Sequence, residues 1–504
     1  MKTLTERYET VSRYLASWST KRFLLTLIIF QIVVHIPITP LPPMGQHVWR
    51  QIMGLSVARN YYDEGHSLLY SSQDIRVGKE DQGHIYTEFP LIYWLMGMSY
   101  HLTGFSHANG RITALVFGIL LMLGAYRLTT MLGLAEMKAR WVVFFLSCSP
   151  VFYYYSISIL PNMPGLAMFI WGTIFLLKGL EKDSIGFNFW LGIILIAIGT
   201  ATKVLYLFYG LPILFLFFNQ YRKNRNPKLL IGGAMAGGLI LTFNYALYRH
   251  GINLMNQSPF ERGSTIQLDF DALPTDLDFI LKISRWAFNE WFLQMYVNIA
   301  AIPMFSVGCY CAVKNKSWKS GKGGWFWSWW LISFIFLTLF FFKHFLAHDY
   351  YLMSSLPLAA LGTASGMDIM LKKKRAKWIA LFLVCFVPVV MVGRVYHRLV
   401  YAKQVPDELL YQVSKFQKVI PEDEQVLIVG DSTPVVYLYY LHRKGLSIGD
   451  ILDEIKLTKY YNKNFRYVVS QLPPDKIKSL KKFSHEVVST IGNFYIIRLS
   501  DCDC

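Results

Sequence analysis

The chain has 504 residues, of which 54% are hydrophobic and 16% are charged. Soluble domains carry about 25% charged residues, so this composition excludes an ordinary soluble protein and indicates an integral membrane protein. The formal net charge of +18 does not indicate a nucleic-acid partner. The basic residues cluster at the ends of apolar segments, where they set topology and contact anionic headgroups.

Apolar segments follow one another along the first three quarters of the chain. A membrane-spanning helix needs about 20 mostly apolar residues, and by that measure we predict about eleven transmembrane helices. They occupy approximately residues 23–38, 111–132, 140–158, 162–180, 188–202, 205–218, 229–247, 291–313, 324–342, 350–371 and 378–395. We expect residues 1–22 to be a cytoplasmic N-terminus and residues 23–395 to be a transmembrane domain.

Basic runs support this count of helices. The three strongest runs are residues 222–228, 314–322 and 372–377. Eleven crossings from an inside N-terminus place all three in the cytoplasm, as the positive-inside rule requires. The same parity places the loop 39–110, the stretch 344–349 and the C-terminal region outside. We therefore predict a multi-pass protein of the inner (plasma) membrane whose polar loops are extracytoplasmic.

The first outer loop, residues 39–110, concentrates polar side chains beside the membrane. Apolar residues at near-helical spacing predict helices over residues 46–62 and 91–105, both lying at the membrane interface. Four carboxylates lie between these helices: Asp74, Glu80, Asp81 and Glu88. Two interfacial helices that bracket carboxylates predict a shallow cavity at the bilayer edge, open to a lipid phosphate from the side.

The composition changes after residue 395, where charged residues become frequent and apolar runs shorten. We predict helices over residues 406–419, 434–444 and 474–483, and strands over residues 425–431, 467–470 and 493–498. Strands that alternate with helices indicate a small α/β domain over residues 396–504. Its turn at residues 429–432 lacks a full phosphate-binding fingerprint, so docking or substrate positioning is the favoured role.

Short motifs spread from residue 23 to residue 371 carry a family resemblance. In chain order they are His47-Val48-Trp49-Arg50-Gln51, Ala58 to Gly65, Asp74, Glu88-Phe89-Pro90-Leu91, Gly110-Arg111, Ser149-Pro150, Tyr155-Ser156, Leu160-Pro161-Asn162, Thr202-Lys203, His348-Asp349-Tyr350-Tyr351 and Leu356-Pro357. Together they resemble a polytopic glycosyltransferase of the C-type membrane superfamily, which contains protein O-mannosyltransferases and bacterial aminoarabinose transferases. More closely, they resemble its bacterial family-39-like branch with an H-x-W-R-Q first loop.

The resemblance implies an enzyme that moves a single sugar from a polyprenyl-phosphate donor at the outer face of the membrane. The acceptor would be a lipid, glycan or protein of the cell envelope. Such a reaction needs a base for the acceptor and cations for the phosphate. Asp74 and Glu88 are the candidate bases, with Asp74 preferred. The candidate phosphate-binding cations are Arg50, Arg59, Lys203 and Lys343. The other predicted substrate-binding residues are Trp49, Gln51, His348, Asp349 and Tyr350.

One departure from the family pattern leaves the base open. Many C-type transferases carry an acidic residue directly after the first helix, and this chain has Gln46-His47 there. His47 is therefore a rival base. A divalent metal held by His47, Asp74 and Glu88 is an open alternative, although their spacing matches no metal motif.

Several of these residues have structural alternatives. Lys203 could extend to the interface, Glu88 could cap the helix that begins near Leu91, and the histidines near residue 348 could belong to an aromatic belt. The alternative function is a transporter or flippase for a lipid-linked saccharide. The sequence shows no repeat of the kind that many transporters have, which favours the enzyme.

Overall fold

The computed structural model describes residues 18–182, 184–257, 277–398, 402–431, 433, 435–448 and 460–502. Within these residues, six helices are long and apolar enough to cross a membrane, or seven if a bent pair counts as one span. The six are His107–Met131, Asn162–Glu181, Val204–Asn224, Pro227–Met255, Gly321–Phe340 and Lys374–Tyr396. The protein is thus a multi-pass helical membrane protein.

The helices of the membrane part run from residue 20 to residue 396. In chain order they are α1 (Thr20–His35), α2 (Val48–Glu64), α3 (Leu91–Thr103), α4 (His107–Met131), α5 (Glu136–Ser147), α6 (Pro150–Tyr155), α7 (Asn162–Glu181), α8 (Phe187–Thr202), α9 (Gly210–Asn224), α10 (Pro227–Met255), α11 (Leu277–Trp286), α12 (Ile302–Lys314), α13 (Gly321–Phe340), α14 (Phe342–Ala347), α15 (Leu356–Leu371) and α16 (Lys374–Tyr396). Single 3₁₀ segments precede α9 (Val204–Tyr209), α12 (Ile299–Ala301), α13 (Ser317–Lys319) and α15 (Asp349–Ser355), and a π-helix (Ala287–Tyr296) follows α11.

Each predicted apolar segment contains a helix, but several segments are broken. The segment 140–158 is divided between α5 and α6, and the segment 291–313 is divided between the π-helix and α12. The last pair is bent by 86°. Asn298 lies at this bend with a φ of 75° and donates hydrogen bonds to the carbonyl oxygens of Cys148 and Val387, at 3.1 and 2.8 Å. The count of eleven crossings stays a prediction.

Small residues allow the central helices to pack closely. A Cβ atom added to Gly172 of α7 would lie 2.8 Å from the carbonyl oxygen of Gly192 in α8, and one added to Gly199 would lie 2.8 Å from that of Gly165. Such approach of two backbones is typical of helix pairs in membranes. The pair fixes the end of α8, where Lys203 begins the turn toward α9.

Both helices predicted in the first outer loop are present, as α2 and α3. They pack directly, because a side chain on Gly54 of α2 would collide with the ring of Tyr93 in α3. Most residues of α2 are buried. Its opposite side is covered by the C-terminal region, where Tyr439 accepts a hydrogen bond from Arg59 at 2.9 Å.

The described part of the C-terminal region contains a five-stranded sheet with three short helices. The strands are β1 (Val426–Val429), β2 (Gly445–Ile448), β3 (Tyr467–Ser470), β4 (Phe483–Ile491) and β5 (Phe494–Cys502), and the helices are α17 (Asp407–Tyr411), α18 (Val413–Val419) and α19 (Val436–Leu441). The strand order is β2-β1-β3-β5-β4. Strand β1 is parallel to both neighbours, whereas β5 is antiparallel to β3 and β4. The predicted small α/β layer is therefore present.

One local prediction in this region was wrong, and two strands were missed. Residues 474–483 were predicted to be a helix, but they form the 3₁₀ turns Pro474–Lys476 and Lys478–Lys482, and Phe483 begins strand β4. Strands β2 and β4 were not predicted. Strand β4 is at the edge of the sheet and is exposed along most of its length, so its sequence lacks the alternation that marks a half-buried strand.

The first outer loop extends the sheet at its other edge. Gly445 of β2 donates its N–H to the carbonyl oxygen of Asp74 at 3.0 Å and accepts one from Arg76 at 2.7 Å. Nearby, the side chain of Gln425 both donates to and accepts from the backbone of Gly78, at 2.9 Å in each case. The loop is thus bound to the C-terminal sheet by backbone hydrogen bonds.

Candidate active site

A cavity of about 490 Å³ lies beside the first outer loop. Its walls come from the start of α2, residues 86–88, the end of α8, the second half of α10 and residues 341–351. One part of the lining is polar and carries Arg50, Glu88 and Lys203. The α10 side contributes apolar residues, among them Leu241 and Ile252. The cavity therefore combines charged and apolar surfaces in one space.

Arg50 and Glu88 form a buried ion pair at the polar end. The Arg50 Nη2 atom lies 2.5 Å from both carboxylate oxygens, and the Tyr93 hydroxyl donates to Oε1 at 2.7 Å. Burial by itself would raise the pKa of Glu88, but the positive charges of Arg50 and Lys203 hold it below its ordinary value. Among the described residues no side chain caps α3, so Glu88 binds Arg50 instead of capping this helix.

Lys203 is a second cation of the cavity, and its partners are aromatic. Its Nζ lies 5.5 Å from the ring centre of Tyr351 and 5.9 Å from that of Tyr350. No carboxylate within the described residues forms an ion pair with it. Burial lowers the pKa of Lys203 to about 8, although Glu88 opposes this shift. The lysine therefore lines the cavity with a charge that is not neutralised by direct contact.

A separate buried cluster surrounds the carboxylate of Asp349. His47 Nε2 is 3.1 Å from Asp349 Oδ1, the Tyr155 hydroxyl donates to the same oxygen at 2.5 Å, and Arg398 is 2.5 Å from Oδ2. Burial would raise the pKa of Asp349, but Arg398 and the His47 hydrogen bond hold it well below its ordinary value. The carboxylate is thus ionised in the folded protein.

The two residues that flank Asp349 in the chain connect this cluster to the cavity. His348 and Tyr350 both line the cavity. Their rings are stacked with centres 5.1 Å apart, and each ring contacts the edge of His47, at 5.6 and 5.2 Å. Trp49 also lines the cavity, 5.9 Å from His348. The predicted residues Trp49, His348 and Tyr350 thus share one aromatic wall.

Asp74 and Arg59 lie elsewhere, at the contact with the C-terminal sheet. Asp74 is fully buried, and its carboxylate accepts from Arg59 Nη2 at 2.6 Å and from Lys444 Nζ at 2.9 Å. Its backbone N–H donates to the Ser56 hydroxyl at 2.9 Å. Burial would raise its pKa, but Arg59 and Lys444 lower it to about 2. Neither Asp74 nor Arg59 lines the cavity.

Comparisons with known proteins agree with this architecture. A family model described as dolichyl-phosphate-mannose-protein mannosyltransferase matches residues 87–246. ArnT from Cupriavidus metallidurans in the apo state is similar in structure, with a TM-score of 0.62, 11% identity, and coverage of 95% of this chain and 98% of that one. Arabinofuranosyltransferase AftD from Mycobacteria matches with a TM-score of 0.61, 11% identity and coverage of 97% and 40%. The chain has the C-type glycosyltransferase fold.

A third solved structure shares the C-type fold. The archaeal oligosaccharyltransferase AglB from Archaeoglobus fulgidus matches with a TM-score of 0.55, 10% identity and coverage of 90% of this chain and 70% of that one. No curated protein sequence matches the chain significantly. The predicted fold and the resemblance to this superfamily are confirmed. The matched family segment includes Glu88 and Lys203 but begins after the first-loop residues His47 and Arg50.

Three further predicted site residues, His47, Gln51 and Asp349, do not line the cavity within the described structure. Gln51 is buried and donates to the Gln46 carbonyl oxygen at 3.4 Å, and the side chain of Lys343 lies outside the described parts. In those parts no group of three or more His, Cys, Asp or Glu residues could hold a metal. The trio of His47, Asp74 and Glu88 is not assembled, because each is bound to a different partner.

Sequence reasoning missed Arg398, Tyr93 and Lys444. Arg398 follows the last apolar segment, where a basic residue is read as a topology signal. Lys444 lies in a charged region far from the site motifs. Tyr155 was noted as part of a motif, but its role as donor to Asp349 required knowledge of the folded chain.

Proposed function

We propose that the protein is a glycosyltransferase that moves a single sugar from a polyprenyl-phosphate donor to a lipid, glycan or protein acceptor of the cell envelope. The observation that carries this proposal is the cavity, in which the cations Arg50 and Lys203 lie in the same space as the apolar surface of α10. A polyprenyl-phosphate sugar has the same division of character, with a charged phosphodiester attached to a long hydrocarbon chain.

The two cations suit the leaving phosphate for different reasons. Glu88 and its hydrogen bonds hold the Arg50 guanidinium in place, so little reorganisation is needed when charge develops on the phosphate. Lys203 supplies a charge that no carboxylate contacts in the described residues. The comparison structures support such a ligand, because one of ArnT contains undecaprenyl phosphate and one of AglB contains a dolichol-phosphate.

In the proposed reaction, the acceptor oxygen attacks the anomeric carbon of the sugar. The bond between that carbon and the phosphate oxygen breaks, and the lipid phosphate leaves with the bonding electrons. A base removes the acceptor proton, which typically contributes a factor of about 10²–10⁴ in rate. Asp74, Glu88 and His47 remain the candidate bases. The aromatic wall of Trp49 and Tyr350 offers flat surfaces to the sugar.

The proposed location is the extracytoplasmic face of the inner membrane. Helices α10, α13 and α16 each begin beside one of the basic runs 222–228, 314–322 and 372–377. At their other ends, α10 and α13 reach the cavity, and α16 ends just before Arg398. Basic residues and site are therefore at opposite ends of these helices, which fits a cytoplasmic position for the basic runs.

Substitution of the two cations tests the donor assignment. Arg50→Gln and Lys203→Gln should each raise the donor KM about 10- to 100-fold, since a hydrogen bond to a charged group contributes roughly 1.5–3 kcal/mol. The assay uses the protein in nanodiscs with a radiolabelled polyprenyl-phosphate sugar. Lys316→Gln, an exposed lysine in a basic run, is the matched control. Unchanged donor dependence in both variants would contradict the assignment.

The same preparation separates the enzyme from the alternative transporter. Vesicles loaded with a labelled polyprenyl-phosphate sugar should yield label covalently attached to an acceptor together with free lipid phosphate. Movement of intact donor across the bilayer without bond cleavage would instead support a flippase. Mass spectrometry of envelope glycans from a deletion strain would then identify the missing sugar.

A further inference from the structure

His47 has a backbone conformation that is unusual for a residue with a side chain. Its φ and ψ are 56° and 32°, in the left-handed region that glycine adopts freely and other residues adopt rarely. The residue is buried, and its side chain does not cap α2 within the described structure. Glycine would relieve the backbone at this position. Glycine is therefore a conservative replacement for the backbone here, and a functional loss in a glycine variant is attributable to the missing imidazole.

The partners of His47 determine which nitrogen is available. Asp349 is ionised, so its Oδ1 can only accept, and Nε2 of His47 must carry the proton in their 3.1 Å contact. In the neutral tautomer that carries its proton on Nε2, the ring presents a lone pair at Nδ1. Within the described residues Nδ1 makes no hydrogen bond. This is the arrangement in which a carboxylate holds a histidine in the tautomer of a general base.

The Asp349 carboxylate has its own support. Arg398 lies 2.5 Å from Oδ2 and also donates to the Tyr155 hydroxyl at 3.3 Å, while Tyr155 donates to Oδ1. The side chain of Asp349 is 1% exposed and that of Arg398 is 12% exposed. A buried ion pair is weak evidence for a stabilising role, because both charges must leave water. Asp349 directly precedes Tyr350, which lines the cavity, and this location favours a functional role for the ion pair.

The other two candidate bases are already occupied. Both oxygens of Glu88 receive Arg50, and Oε1 also receives Tyr93. Asp74 is fully buried beneath Arg59 and Lys444, away from the cavity. His47 does not itself line the cavity, but its ring contacts the rings of His348 and Tyr350, which do.

We propose that His47 is the general base of the transfer reaction and that Asp349 and Arg398 are positioning residues that act through it. The inference rests on the proposed glycosyl transfer. The acceptor hydroxyl proton passes to Nδ1 as the new C–O bond forms and the bond to the phosphate oxygen breaks. The resulting imidazolium is stabilised by Asp349. Arg398 keeps this carboxylate ionised, so Asp349 orients the ring and does not take the proton.

The decisive variant is His47→Gly, because glycine suits the left-handed backbone. It should express and bind undecaprenyl phosphate like the unaltered protein, while transfer falls about 10²- to 10⁴-fold. Added imidazole should restore part of the turnover. Lys316→Gly, at an exposed site with a φ of 51°, is the control and should keep full activity. Normal turnover of His47→Gly, or a loss that imidazole does not rescue, would overturn the assignment.

A second experiment tests the positioning residues. Asp349→Asn and Arg398→Met should lower kcat with the donor KM unchanged, and Arg398→Lys should recover part of the rate. In the His47→Gly background neither change should lower transfer further, since residues that act as a unit are non-additive. Additive losses would show that the pair acts without His47. Absence of transfer in the unaltered protein would instead contradict the proposed function, so the two failures are distinguishable.

Discussion

Lys203 and Arg50 are both cations of the cavity, but they differ in how firmly they hold their charge. Arg50 is paired with Glu88, and a guanidinium stays protonated at any ordinary pH. Lys203 has a pKa lowered to about 8 by burial. Only the lysine can therefore change its charge within the working range of an enzyme assay.

The first prediction follows from this difference. Lys203 is positive below pH 8 and loses its charge as the pH rises, so donor affinity should fall between pH 7 and pH 9.5. The decrease should approach about tenfold per pH unit until the pKa of the phosphate-bound lysine is passed. Lys203→Arg should bind the donor with much weaker pH dependence. Binding of undecaprenyl phosphate measured across this range is the test, and identical profiles for both proteins would contradict it.

The sequence analysis preferred Asp74 as the base. In the structure its carboxylate is bound by Arg59 and Lys444, away from the cavity. Asp74→Asn would leave the buried Arg59 and the partly exposed Lys444 without their shared carboxylate, and breaking a buried pair is destabilising by about 3–5 kcal/mol. We expect a lower Tm as the main effect. Because Arg59 and Lys444 depress the pKa of Asp74 to about 2, this stabilisation is present above about pH 4 and is lost as the pH falls toward 2.

Thermal unfolding and turnover measured on the same sample decide this second prediction. A variant that keeps its Tm but loses turnover would restore Asp74 as the base. Lys444→Met should resemble Asp74→Asn in its loss of stability, since Lys444 also contacts Glu64 at 3.1 Å and the Asn60 side chain.

At the scale of elements, the packed helices α2 and α3 position the residues of the first outer loop that line or support the cavity. Helix α2 carries Arg50 at its start, and α3 carries Tyr93, which binds Glu88. Gly54 allows the two helices to touch, because any side chain there would collide with the Tyr93 ring. Packing between the helices is therefore coupled to the geometry of the ion pair.

The third prediction uses this contact. Gly54→Ala should displace Tyr93, loosen Glu88 and weaken donor binding, although alanine is the better helix former. Gly238→Ala in α10 is the matched control, because a Cβ there meets open space, and it should leave donor binding unchanged. Donor titration of both variants is the measurement. Equal affinity for the two would show that the contact does not control the ion pair.

The elements also show why some features could be predicted and others could not. Long apolar runs identify the helices, since the bilayer sets their length. The resemblance in local motifs indicated Arg50, Glu88 and Lys203, which do meet at one cavity. Arg398 could not be recognised, because a basic residue after a membrane helix is usually a topology signal. The exposed edge strand β4 and the four-residue strand β2 carry too little periodicity to be detected.

For the whole molecule, orientation in the membrane is the main open prediction. Single cysteines placed at Ser320 and Glu422, both exposed, in a cysteine-free background should react with a membrane-impermeant reagent from opposite sides. Glu422 should react in intact cells and Ser320 only after permeabilisation. Reaction of both from one side would contradict the eleven-helix topology.

The pairing of Gly445 with the loop around Asp74 has a consequence for biogenesis. Lys444 and Asp74 are 370 residues apart in the chain, so the loop emerges from the ribosome long before its binding partner exists. Residues 74–76 must stay available while the intervening helices enter the bilayer. If the C-terminal region is exported as proposed, completion of the loop is delayed until synthesis ends. A chain truncated before β2 would then insert in the membrane with this part of the first outer loop unpaired.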